Sequence, residues 1–131
     1  MVQLGTIVKV TDKTGVVLAQ CIKVLGPTGK RIAYLGDLVI VSVRWINPRK
    51  FHNVKERKKK MFAKGTLHRA LVVRSKTNYS RIPGVFIRFN ENAVVLVNRL
   101  VVPVSNRVYG PILREFAMRW PSLGCVTRCF I

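Results

Sequence analysis

A chain of 131 residues is the size of one domain and can bury a core without disulfides or metal. Hydrophobic residues make up 49% and the mean hydropathy is +0.20, which excludes a disordered basic tail. Lys and Arg number 24 against 5 Asp and Glu, a net charge of +19. Solubility asks for a magnitude of only about 2–8, and self-repulsion at +19 opposes the compact state. The composition therefore implies a stable polyanionic partner, of which nucleic acid is the commonest.

A membrane span needs about 18 consecutive apolar residues. The two most apolar stretches, 35–46 and 93–104, are broken by Asp37 and Arg44 and by Asn98 and Arg99. The first residues have neither a signal-peptide layout nor an Arg- and Ser-rich transit layout, so a presequence is expected to be absent or already removed. Three Cys is an odd number for a secreted disulfide framework, and a reducing or organellar interior is expected.

Short runs of Val, Ile and Leu between turn residues predict a mainly β chain. Residues 4–10 form the first run, and Asp12-Lys13-Thr14-Gly15 a turn. Residues 16–25 form the second, ended by Gly26-Pro27-Thr28-Gly29. Residues 31–34 and 38–46 flank Gly36-Asp37, which reads as a hairpin turn. In the later run Val39, Val41, Val43 and Trp45 share one face, with Ser42 and Arg44 on the other. Residues 49–65 then carry eight Lys or Arg against Glu56, which predicts a basic arm extended without its partner.

Strand character resumes at 69–74, followed by a second basic loop at 76–83. Residues 85–89 alternate, Asn90-Glu91-Asn92 turns, and 93–97 is expected to pair back. Pro103 marks residues 100–104 as an edge or strand end. Pro111 suits the first position of a short helix, with Ile112, Leu113, Phe116 and Trp120 on one face and Pro121 ending it. The expected architecture is one domain over 1–131: a small β-barrel, a basic arm at 49–65 and a short helical C-terminal segment at 111–131.

Catalysis finds little support. Asp12, Asp37 and Glu91 fall in predicted turns, where Asp commonly bonds local backbone, and Glu56 sits inside the Lys run as a charge partner. His52 and His68 have no nucleophile motif around them. Cys125 and Cys129 are too few for a closed zinc site of about four ligands, and Cys21 reads as a small buried hydrophobe. No glycine-rich phosphate loop occurs. No catalytic residue, metal or cofactor is expected.

The basic residues form the candidate site. Lys30, Arg31, Arg49, Lys50, Lys55, Arg57, Lys58, Lys59, Lys60, Lys64, Arg74, Lys76, Arg81, Arg88 and Arg107 lie in loops or at strand ends. Arg suits bidentate phosphate contacts and Lys acts as a point charge. Phe51, Phe62 and Tyr79 lie among them and could stack on bases. The other aromatic residues fall in strands or the helix and read as core.

Several segments resemble the universal large-subunit ribosomal protein fourteen family. They are Met1-Val2-Gln3 with Val10-Thr11-Asp12-Lys13-Thr14-Gly15, Cys21-Ile22-Lys23-Val24-Leu25-Gly26, Gly36-Asp37 and Pro48-Arg49. Further on come Ala70-Leu71-Val72-Val73-Arg74, Ile87-Arg88-Phe89, Asn92-Ala93-Val94-Val95-Leu96, Asn106-Arg107-Val108-Tyr109-Gly110-Pro111 and Arg114-Glu115. The resemblance implies a five-stranded β-barrel with a projecting ribbon and small C-terminal helices. It implies binding to large-subunit rRNA, packing against neighbouring ribosomal proteins and an inter-subunit bridge to small-subunit rRNA. It also implies a surface for a ribosome-silencing factor, carried here by Asn106, where the family favours Thr, and Arg107.

The arm at 48–66 is longer and richer in Lys than the bacterial pattern. Pro83-Gly84 replaces an Asp-Gly or Asn-Gly turn, and Glu91 stands where Gly is usual. After Glu115 the terminal motif gives way to apolar, Cys-containing sequence. This drift points to a mitochondrial member. The expected function is a non-catalytic, rRNA-binding constituent of the large subunit. The alternative is a barrel acting off the ribosome on single strands through Phe51, Phe62 and Tyr79. If the arm orders only on assembly, amides across Lys55–Lys60 should exchange fast in the free protein and slowly in the assembled particle; strong protection in the free protein would refute that.

Overall fold

The computed structural model describes residues 1–51, 60–82 and 84–131, with only the backbone described at 50 and 51. Nine strands form: β1 (Val2–Gln3), β2 (Ile7–Val10), β3 (Val16–Val24), β4 (Ile32–Ala33), β5 (Leu38–Ile46), β6 (Leu67–Arg74), β7 (Tyr79–Arg81), β8 (Val85–Ile87) and β9 (Ala93–Val97). Among the described residues three short helices have both ends in view, α1 (Pro48–Phe51), α2 (Arg114–Arg119) and α3 (Pro121–Val126), and residues 60 and 61 are also helical. Among the described residues no helix is long and apolar enough to cross a membrane.

Five strands close into a barrel in the order β2-β3-β5-β6-β9. Four neighbouring pairs are antiparallel. The closing pair is parallel, with Lys9 opposite Ala93 and Val10 opposite Val94. Closure leaves none of the five with a free edge.

Alternation fills the interior. Val39, Val41 and Val43 of β5 point inward with Ala19 and Cys21 of β3, Ala70 and Val72 of β6, and Val94 and Leu96 of β9. Val2 and Ala33, opposite each other in the β1–β4 pair, join the same interior. Phe62, 2% exposed, fills it from the end of the basic arm.

A second core lies outside the barrel. Leu71 and Val73 of β6 and Ala93, Val95 and Val97 of β9 pack against Phe89, Val108, Ile112, Leu113, Phe116 and Leu123. β9 and residues 70–73 of β6 are therefore buried on both faces, and these stretches are continuous apolar runs rather than alternating ones, while Leu67 and Arg69 at the start of β6 stay exposed. The ends of the C-terminal segment are tied by backbone bonds, from Arg114 N–H to Ile131 O (3.0 Å) and from Ile131 N–H to Ile112 O (2.9 Å). Gly36, at φ +85°, lets the α2 aromatics approach: a Cβ there would lie 3.4 Å from Phe116 Cε1.

Several expectations are corrected. The run at 4–10 breaks at Leu4-Gly5, freeing Val2–Gln3 to pair with Ile32–Ala33. Gly36-Asp37 is a turn but not a hairpin, because β4 pairs with β1 while β5 pairs with β3 and β6. Trp45 leaves the face of Val43, because the β3–β5 register slips between Leu18↔Trp45 and Ala19↔Val43. The extra β5 residue is Arg44, and Trp45 emerges 60% exposed.

Residues 85–87 pair with β7 and not with β9, so the projecting two-stranded ribbon is β7–β8, and the arm begins as α1. Residues 100–104 form no strand. Asn98 Oδ1 accepts the N–H groups of Leu100 and Val102, both at 3.0 Å, and Pro103 makes a single bridge to Val97. The C-terminal helix begins at Arg114, and Pro121 starts a second helix instead of ending the segment.

Phe62→Ala should cost about 3–5 kcal/mol by denaturant unfolding. Phe86→Ala, at a site 67% exposed, should stay within about 0.5 kcal/mol.

Candidate nucleic-acid interface

Both ends of the basic arm leave the barrel between adjacent strands. Asn47 N–H bonds Gly15 O at 2.9 Å, and Asn47 Oδ1 accepts the Arg49 N–H at 3.1 Å, which starts α1. On return, Gly65 N–H bonds Val43 O (2.8 Å) and Val43 N–H bonds Thr66 O (3.0 Å). Arg49, Lys60 and Lys64 are exposed at these roots. Lys55, Arg57, Lys58, Lys59, His52 and Glu56 lie outside the described residues, as does the side chain of Lys50.

Arg31, Lys76 and Arg88 are exposed, while Arg107 is half-buried beside exposed Asn106. Lys30 is half-buried and pairs with Asp37 at 2.8 Å. Arg74 and Arg81 are engaged inside the fold. Arg74 is 6% exposed; its Nη2 meets Glu91 Oε1 at 3.0 Å and its Nη1 donates to Tyr109 O at 3.4 Å. Burial lowers its pKa and the Glu91 charge opposes that. Arg81 forks onto Glu115, with Nη2 donating to Oε2 at 2.7 Å and to Ile131 O at 2.5 Å. It ties the ribbon to the C-terminal segment.

The four described acids are all engaged. Asp12 is buried: Oδ1 accepts from Thr14, whose N–H lies at 3.0 Å, and Oδ2 accepts the Leu96 N–H at 3.1 Å. Its burial raises its pKa and these bonds oppose the rise. Asp37 Oδ2 accepts the Tyr34 N–H at 2.8 Å, the local contact expected of a turn Asp. Glu91 instead bridges Lys9 and Arg74, each at 3.0 Å. Glu115 is held below its ordinary pKa chiefly by the Arg81 hydrogen bond.

The stacking trio changes character. Phe62 is core, and its ring lies 5.0 Å from that of His68. Tyr79 packs against the second core, and the Phe51 side chain lies outside the described residues. The exposed aromatics among the described residues are instead Tyr34, Trp45, Phe86, Tyr109 and Phe130, all of which the sequence had marked as core. Only the register slip at Arg44 turns Trp45 outward.

His68 is structural: Nε2 donates to Met61 O at 2.8 Å, and burial lowers its pKa. Cys21 is buried, and Cys125 and Cys129 are exposed. Among the described residues no three His, Cys, Asp or Glu gather as metal ligands. Reasoning from the sequence did not single out exposed Lys13, Lys23, Arg44 and Arg69. The outward positions of the strands signal Arg44 and Arg69, since alternation with buried neighbours places them on the wall.

A closed barrel whose described acids are engaged within the fold and whose loops are cationic defines a small, basic structural module. The sequence profile of the family described as ribosomal protein L14p/L23e matches residues 1–130, and the chain belongs to that family. It is accordingly a structural protein of the large ribosomal subunit, in a family that is generally non-enzymatic and whose partners are rRNA and other ribosomal proteins.

Glu115→Gln should destabilise the fold at neutral pH. A lowered carboxylate pKa contributes stability that is full above the unfolded value, near 4.5, and is lost as pH falls through the lower folded value. The gap between wild type and variant, followed by unfolding midpoints, should therefore close on acidification below about pH 4.5. A gap unchanged with pH would refute the pairing.

Proposed function

We propose that the chain is an rRNA-binding structural constituent of the mitochondrial large ribosomal subunit, acting as one unit over residues 1–131. One observation carries this: every described acid is engaged within the fold, while Arg31, Arg49, Lys60, Lys64, Lys76 and Arg88 stay exposed. Such cations neutralise phosphates and release counterions. In duplex regions RNA shape, more than base edges, carries recognition. Lys50, Lys55, Arg57, Lys58 and Lys59, whose side chains lie outside the described residues, are added to this set on their charge alone. Lys30 and Arg107 contribute from half-buried positions. Arg74 and Arg81 drop out as primary phosphate ligands, because Glu91 and Glu115 hold them.

The mitochondrial context rests on the drift of the arm and the C-terminus from the bacterial pattern. Contacts with neighbouring ribosomal proteins, a bridge to small-subunit rRNA and a silencing-factor surface at Asn106 and Arg107 follow the family expectation. The free single-strand alternative loses support, since Phe62 is core and Tyr79 packs on the second core.

In a mitochondrial lysate sedimented at low magnesium, peptides of this chain should peak with the large subunit. Peptides confined to light fractions would overturn the assignment. Arg49→Glu and Lys64→Glu should each weaken rRNA binding and flatten the salt dependence of log affinity by about 1. The unfolding free energies of these exposed variants should change by less than about 0.5 kcal/mol.

A further inference from the structure

Beside the Asp12–Gly15 turn lies a cavity of about 470 Å³, within the range of about 300–1,000 Å³ typical of small-molecule sites. Val10, Val16 and Val17 give it an apolar side, and Lys9, Asn47 and Glu91 a polar one. Arg74 and Gly110 complete the wall. Gly110, at φ +84°, is fitted against the guanidinium: a Cβ there would lie 1.9 Å from Arg74 Nη1.

Charge inside the cavity is balanced. Lys9 and Arg74 both hold Glu91, and Asp12 is capped by Thr14 and Leu96. A phosphate has no surplus cation there, whereas a neutral, flat group with donors and acceptors suits the walls. Arg74 is more than nine-tenths buried, and its Nε meets no acceptor among the described residues. Surplus charge is close by in the chain: exposed Lys13 lies between the lining residues Asp12 and Gly15, and exposed Arg49 is two residues beyond Asn47.

We propose that this cavity receives one nucleobase extruded from rRNA, with its phosphate held by Lys13 and Arg49. The inference rests on the rRNA-binding reading above. An apolar side for the base face and polar groups for its edge match the way single-stranded RNA bases are recognised.

The test is a ¹⁵N–¹H spectrum of the full chain with each of the four nucleoside 5′-monophosphates and, separately, with inorganic phosphate. At least one monophosphate should shift the amides of Gly15, Val17 and Gly110, and phosphate should not. Val17→Phe, which fills the cavity, should weaken that binding at least tenfold while leaving distant amides in place; if it fails to fold, Asn47→Ala tests the same wall. Equal shifts with phosphate alone would make this an anion site and overturn the proposal, as would unmoved cavity amides. A chain that sediments with the large subunit yet shows no base-dependent shift keeps the ribosomal reading and loses this one.

Discussion

The structure depends on β9 and the 70–73 stretch of β6 being buried on both faces. Their inward residues, Ala70, Val72, Val94 and Leu96, belong to the barrel interior, and their outward ones, Leu71, Val73, Val95 and Val97, to the second core. Fully burying a Leu or Val side chain is worth about 1.5–3 kcal/mol, so these two adjacent strands bind barrel and C-terminal segment together. The α2–α3 pair has twelve residues in two short helices, too short to hold shape alone. Its geometry is imposed by the sheet beneath it and by the backbone bonds at Ile112 and Ile131.

That apolar framework lets the chain tolerate its charge. Exposed ion pairs contribute only about 0–1 kcal/mol each and weaken with salt. The few acids therefore do little against the global repulsion, and their value is positional. Glu115 ties the ribbon to the C-terminal segment through Arg81. Glu91 ties β2 to the end of β6 through Lys9 and Arg74. Asp37 fixes the turn before β5 and holds Lys30. Acids used this way leave the loops almost uniformly positive.

The strands were legible because turn residues punctuate them and Val, Ile and Leu dominate them. Pairing was not. Nothing local in residues 85–97 says that β8 pairs with β7 while β9 pairs with β6 and β2, since that choice depends on long-range closure. Trp45 shows a subtler limit. Strict alternation puts it beside Val43, but one extra residue at Arg44 reverses every face beyond it. The basic surface was legible as a composition; which members point outward was not. Arg74 and Arg81 look like any other loop cations in sequence, and only the fold brings Glu91 and Glu115 to them.

Charge placement and function meet at this point. Among the described residues, exposed cations that make no ion pair lie at the roots of the arm, on the turn at Lys13 and beside the ribbon at Arg88. Neutralised cations sit where segments must be joined. A barrel that used its acids to offset surface charge would be less self-repelling, but its C-terminal segment and ribbon would lack their ties and its cationic surface would be diluted. Binding RNA resolves the conflict, because the partner supplies the negative charge that the chain omits. The excess of cations and the rigidity of the double-faced strands are thus complementary: a stiff apolar scaffold allows the surface to remain unbalanced until a polyanion covers it.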